Sequence, residues 1–184
     1  MIGEKWSGVP NCEHRATCSK CGTIESMEHI LLECRYDARS LIWRKAEDIW
    51  PHGQQRWPRI TLGTILGIGS IALTEEHPID NRLNTRSVKT KGQTRLLQIL
   101  ISEASHLIWV IRCERVIHDR EHTAQEIGMR WKQKINEKLT TDRITATKIK
   151  RDKQTTTLTN ATWEEALKKQ NITHKNWLNR QEVF

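Results

Sequence analysis

Arg95-Leu-Leu-Gln-Ile-Leu-Ile-Ser-Glu-Ala-Ser-His-Leu-Ile-Trp-Val-Ile-Arg-Cys-Glu-Arg-Val-Ile117 is the stretch that decides the fold. Leu97, Leu100, Ile101, Ala104, Leu107, Ile108 and Ile111 recur at i, i+3, i+4 and i+7 without a break. At about 100° per residue they form one apolar stripe, so the spacing predicts a helix from about Thr94 to His118. Gln98, Ser102, Ser105 and Arg112 fall opposite the stripe, and Trp109 falls among them. Ile99, Val110 and Ile117 make a second apolar edge, which predicts a central helix touched on two sides. Trp109 then either covers neighbouring chain or meets a further partner.

Toward the C-terminus, Thr123-x-x-Glu126 reads as a capping box. The helix it opens carries Ile127, Trp131, Ile135 and Leu139 every fourth residue. Asp142 is expected to start another helix through Lys153, with Thr155-Thr156-Thr157 as an interruption. Thr162-x-x-Glu165 reads as a second capping box ahead of Trp163, Ala166 and Leu167. Toward the N-terminus, residues 74–92 are polar and poor in hydrocarbon, and are expected to form an exposed, mobile linker. Thr61 is expected to open a short helix through Leu66, and residues 51–59 read as a turn. Asp37 is expected to cap a helix carrying Leu41, Ile42, Ala46, Ile49 and Trp50, ended by Pro51. Ser26 is expected to cap a short helix over 27–33. No strand pattern of useful length occurs. The expected fold is mainly α: a small zinc-binding module over 1–36, a helical connector over 37–73, the linker over 74–92 and a helical region over 93–184.

The first module stands out by its donors, Cys18-x2-Cys21-x7-His29-x4-Cys34. Three of the 5 cysteines fall within 17 positions, with a histidine among them. Three thiolates and one imidazole suit a tetrahedral Zn2+. The two-residue gap lets both sulfurs of one turn face a common point, and Gly22 lets the backbone leave it. In an α-helix, position i+5 points away from i, so Cys34 is expected at or beyond the end of the helix that carries His29. Cys12 and His14 are alternative donors, and Cys113 reads as a small apolar core residue. Four protein donors leave no open position, so the expected zinc site is structural.

Charge and composition narrow the partners. The formal net charge is +8, and the sequence pI is about 9.4. A charge this positive favours polyanions, RNA or DNA first among them. Lys20, Arg143, Lys148, Lys150, Arg151 and Lys153 are the candidate phosphate contacts; a solvated helix face explains the run from 143 to 153 equally well. Of the 8 tryptophans, Trp43, Trp50, Trp131 and Trp163 sit at helix-periodic positions and read as core. The N-terminus lacks the apolar segment of a signal peptide, and the apolar stretch Ile60–Leu73 is too short to span a membrane. The odd cysteine count argues against a secreted disulfide framework. Nucleus or cytoplasm is the expected setting, with neither a membrane nor a small-molecule substrate as partner. No phosphate-binding glycine loop, nucleophile elbow or paired-carboxylate nuclease site occurs, and Glu103 and Glu114 are too far apart on their helix to share a metal. His106 reads as a helix-surface residue. The expectation is a protein that is not an enzyme.

The chain resembles the C-terminal portion of reverse transcriptases from fungal non-LTR (LINE-like) retrotransposons. The resemblance is carried by Glu13-His-Arg-Ala-Thr-Cys18-Ser-Lys-Cys21 and Glu25-Ser-Met-Glu-His29-Ile-Leu-Leu-Glu-Cys34. Trp57-Pro58, Thr61-Leu-Gly-Thr-Ile-Leu-Gly67 and the 95–117 helix extend it over nearly the whole chain. It implies zinc ligands at Cys18, Cys21, His29 and Cys34, with Cys12 outside the pattern. It also implies a module that helps an upstream polymerase grip RNA or DNA, with polymerase and ribonuclease H catalytic residues upstream of this fragment. Docking onto those upstream domains through Trp109 and the second apolar edge is the alternative.

Overall fold

The computed structural model describes residues 2–51, 57–73, 83–148 and 153–170. Six α-helices are seen there: α1 (Ile2–Ser7), α2 (Asp37–Ile49), α3 (Leu62–Leu66), α4 (Leu83–His118), α5 (Ala124–Lys148) and α6 (Lys153–Lys169). Among the described residues there is no strand, only an isolated antiparallel bridge between Thr17 and Ile24. The fold is mainly α, with the Cys/His cluster near the N-terminus and helices after it.

α4 is the axis of the molecule. α6, α2 and α5 all pack against it, and α2 and α6 also touch α5. The predicted stripe is the core: Leu97, Leu100, Ile101, Ala104, Leu107, Ile108 and Ile111 are all buried. Ile99 is buried as well, so the helix is covered on more than one side. Trp109 is half-buried against the core with the Arg112 guanidinium over its ring. The segment Ser87–His118 is long and apolar enough to cross a membrane by length and composition, longer than the Ile60–Leu73 stretch. Most of it is buried within the bundle, where the core helix of an all-α fold belongs.

Trp50, Trp131 and Trp163 are buried, and Trp43 packs on the same core with its Nε1–H donating to the Leu31 carbonyl. α2 therefore shares one core with α4 and α5 rather than standing apart as a connector. Its N-cap is Tyr36, not Asp37, which is the first helical residue. Thr61 and Thr64 close a reciprocal capping box ahead of α3.

Three further expectations fail, two of them for a tertiary reason. The linker expected over 74–92 is α4 from Leu83 onward; residues 74–82 lie outside the described residues. Polar composition hid this helix because its contacts are made with α6. Lys89 Nζ pairs with Glu165 Oε1 at 2.6 Å, and Gln93 donates to Glu165 Oε2. Gly92 sits against Ala161, where an added Cβ would come within 2.6 Å of the Ala161 Cβ. Glycine is needed there for close helix approach, not for chain freedom. Asp142 starts no helix, because α5 runs unbroken through it. Its carboxylate is buried and accepts both ends of the Arg95 guanidinium, at 2.6 and 2.7 Å, and the Trp163 Nε1–H. Thr155–Thr157 and Thr162 all lie inside α6. Their hydroxyls need not compete with the helix: those of Thr157 and Thr162 donate back to carbonyls four residues earlier. The Thr123–Glu126 box does form, with both reciprocal bonds present.

Candidate metal centre

The centre is assembled from one tight turn and one widened helical turn. In the first, Gly22 N–H donates to the Cys18 carbonyl and Cys18 N–H to the Thr23 carbonyl. Gly22 adopts φ +69°, the left-handed region open to glycine without Cβ strain. The reversal aims Cys18 and Cys21 inward. In the second, Ser26 Oγ accepts the His29 N–H, as its place before the helix predicted. Residues His29–Glu33 then form a π-turn, with Cys34 N–H donating to the His29 carbonyl at 2.7 Å. The i→i+5 bond is the hallmark of the π-helix. It stacks residue 34 beneath residue 29, which an α-turn would not do. A five-residue ligand spacing that is awkward for an α-helix is thereby made compatible with one centre.

Cys18 Sγ, Cys21 Sγ, His29 Nε2 and Cys34 Sγ lie within 4.8 Å of one another. Cys18 and Cys34 sulfurs are 3.7 Å apart, and Cys21 Sγ is 3.1 Å from His29 Nε2. A tetrahedron built on metal–sulfur bonds of about 2.3 Å has edges of about 3.8 Å, so the donor spacing fits one four-coordinate ion. Cys18, His29 and Cys34 are buried, and Cys21 is half-buried. The set could hold a metal ion. Cys12 and His14 are not part of the cluster.

The thiols differ in their readiness to ionise. Burial pushes the Cys34 thiol up to about 12, and the nearby Cys18 and Cys21 sulfurs add to that. Burial also works against ionisation at Cys18, but hydrogen bonds from His29 and the Lys20 backbone N–H outweigh it and hold that thiol below its ordinary value. Cys21 is lowered in the same way, against burial, by Cys18 and by backbone N–H groups of Thr23 and Arg35. A bound cation draws all three to the thiolate.

Around the donors lies a charged shell that sequence reading missed. Glu25 is 1% exposed and its Oε2 accepts two N–H groups of Arg112 from α4. Arg112 therefore faces inward, not outward as the helical wheel predicted. Arg115, one turn further on, donates to Ser19 Oγ at 2.7 Å and faces Cys18 Sγ at 3.8 Å. The available signal was an i, i+3 arginine pair, Arg112 and Arg115, between the apolar positions 107–111 and 116–117 of α4. Cys113 beside them is half-buried, not deep in the core.

The candidate phosphate contacts do not form one described patch. Lys20 is paired with Glu121 and lies over the Tyr36 ring. Arg143 is half-buried on α5, while Lys148 and Lys153 are exposed at the end of α5 and the start of α6. Lys150 and Arg151 lie outside the described residues. Glu103 pairs with Lys134 and Lys138 of α5, and Glu114 with Arg130 and His122. Both carboxylates are thus used in helix packing, and His106 is exposed.

The chain matches no protein-family model, no curated protein and no solved structure.

Proposed function

We propose that the chain is a non-catalytic, zinc-stabilised, nucleic-acid-binding accessory module of a retroelement reverse transcriptase. The observation that carries it is the convergence of Cys18, Cys21, His29 and Cys34 on one point. Three thiolates with one imidazole at tetrahedral spacing select zinc over the harder divalent cations. Protein donors fill all four positions, so the ion's role is to hold chain together rather than to activate water. The retroelement reading is supported by the resemblance of the Cys/His segment and the long helix. The nucleic-acid reading is supported by the net charge of +8.

Docking onto upstream polymerase or ribonuclease H domains is the weaker reading. Ile99 is buried and Trp109 is packed on the chain's own core, which leaves half-buried Val110 and exposed Ile117 as the open members of the proposed surface. Binding of the purified chain to random-sequence RNA and DNA across a salt series tests the proposal. The expected result is an affinity that falls linearly with salt on logarithmic axes. An affinity unchanged from low to high salt would contradict it.

A further inference from the structure

We infer that Arg115 of α4 is the counter-charge of the metal centre, a positioning residue that ties metal loading to docking of the N-terminal module on the bundle. This rests on the reading of Cys18, Cys21, His29 and Cys34 as ligands of a divalent ion. Glu25, Arg112 and Arg115 are all nearly sealed from water beside the donor cluster, at 1%, 5% and 6% exposure. Buried charges require partners. Arg112 has one, because two of its N–H groups close on Glu25 Oε2. Arg115 is the surplus. The other Glu25 oxygen is 3.8 Å from its guanidinium, within ion-pair reach but beyond hydrogen-bonding range, so a single carboxylate is shared by two guanidiniums and one positive charge is left over. The other nearby carboxylate, Glu121, is exposed and already paired with Lys20. The Arg115 guanidinium lies over the Tyr36 ring, donates to Ser19 Oγ and faces Cys18 Sγ.

With three neutral thiols, this buried set carries one uncompensated positive charge. Three thiolates, a neutral imidazole and a divalent ion together carry one negative charge. The two cancel, so α4 is matched to a three-thiolate centre. A two-thiolate centre would leave the arginine unbalanced, and a four-thiolate one would overshoot it. Ser19 lies between the ligands Cys18 and Cys21, so the same guanidinium also pins the turn that presents them.

Zn2+ affinity of the full chain, measured by competition with a chromophoric chelator, tests this together with the thiolate-to-metal charge-transfer band of the Co2+-loaded protein. Arg115→Met is expected to weaken Zn2+ binding about 10–100-fold, the usual cost of removing an outer-shell partner, and to shift the Co2+ band. Arg115→Lys keeps the charge and is expected to recover most of the affinity. Ser19→Ala, at an exposed position that threatens no fold, is expected to weaken binding in the same direction by a smaller factor. Arg115→Met binding within about twofold of wild type, with an unshifted band, would overturn the inference. So would Arg115→Lys binding as poorly as Arg115→Met, since shape rather than charge would then govern. If Arg115→Met does not fold, unchanged affinity in Ser19→Ala together with lost affinity in Arg115→Lys overturns it. Wild-type chain without stoichiometric Zn2+ would instead remove the metal reading itself.

Discussion

The first 36 residues and the α4 bundle hold together by different means. In the N-terminal module the buried side chains are donors and charges, namely Cys18, Glu25, His29 and Cys34, with Ile30 and Leu31 as the only fully buried hydrocarbons described there. In the bundle the buried side chains are mostly Leu, Ile, Ala and Trp from α2, α4, α5 and α6, and Asp142 is a polar exception whose carboxylate is held by Arg95 and Trp163. One region brings together four donors that could close around a metal ion, and the other is closed by removal of hydrocarbon from water. They meet along α4, where Ile30 and Leu31 join the common core and Arg112 and Arg115 reach the donors. A protein of this size can carry a region too poor in hydrocarbon to fold alone when a neighbouring helix supplies counter-charges and a wall.

Cys21→Ser would break the comparison most severely. The loss of one ligand removes most of a structural-zinc binding free energy that runs to about 10–16 kcal/mol in small zinc modules. Amide hydrogen exchange should then show lost protection over 1–36 and retained protection along α4 and α5. Equal loss in both regions would mean that the bundle depends on the metal too. Glu25→Gln attacks the junction. It leaves Arg112 and Arg115 buried without a carboxylate, and urea unfolding should report a loss of about 3–5 kcal/mol. A value near zero would mean that water reaches this site.

A gentler probe lies at Glu114, between Arg112 and Arg115 in the last turns of α4. The Arg130 guanidinium, aided by His122, holds Glu114 at about 2, well below the ordinary carboxylate value of 4.5. The shift is downward, so the stabilisation is complete above about pH 4.5 and is lost as pH falls toward 2. Discounted for partial exposure, it amounts to about 2 kcal/mol. The stability difference between wild type and Glu114→Gln should shrink on acidification over that window; a difference constant with pH would refute the pairing. The smallest effect is expected from Thr123→Ala, which removes the α5 cap at a cost of about 1 kcal/mol in thermal or urea unfolding and leaves metal content unchanged.

How much the sequence revealed also divides along the two regions. The stripe from Leu97 to Ile111 and the four-residue spacing from Ile127 to Leu139 were legible because burial of one helix face leaves a periodic imprint. The four clustered donors were legible because ligand types at short spacing are rare by chance. What stayed hidden was held by partners distant in sequence. The start of α4 looked like linker because the contacts described there, from Lys89 and Gly92, are with α6. Asp142 looked like a cap because short carboxylates favour helix starts, whereas here Arg95 lies 47 positions away. Glu25 and Arg112 are 87 positions apart, and no local pattern marks such a pair. The π-turn at His29–Glu33 was unforeseen, although the His29–Cys34 spacing required a departure from α geometry.

Metal content of the purified, reduced chain, with helicity followed in parallel during chelation, tests the central claim most directly. The account predicts one Zn2+ per chain, bound through Cys18, Cys21, His29 and Cys34. It also predicts that removing the metal releases the N-terminal module while most of the helical signal persists. A chain that purifies without stoichiometric metal and takes up none when Zn2+ is supplied, yet keeps residues 1–36 folded, would contradict it.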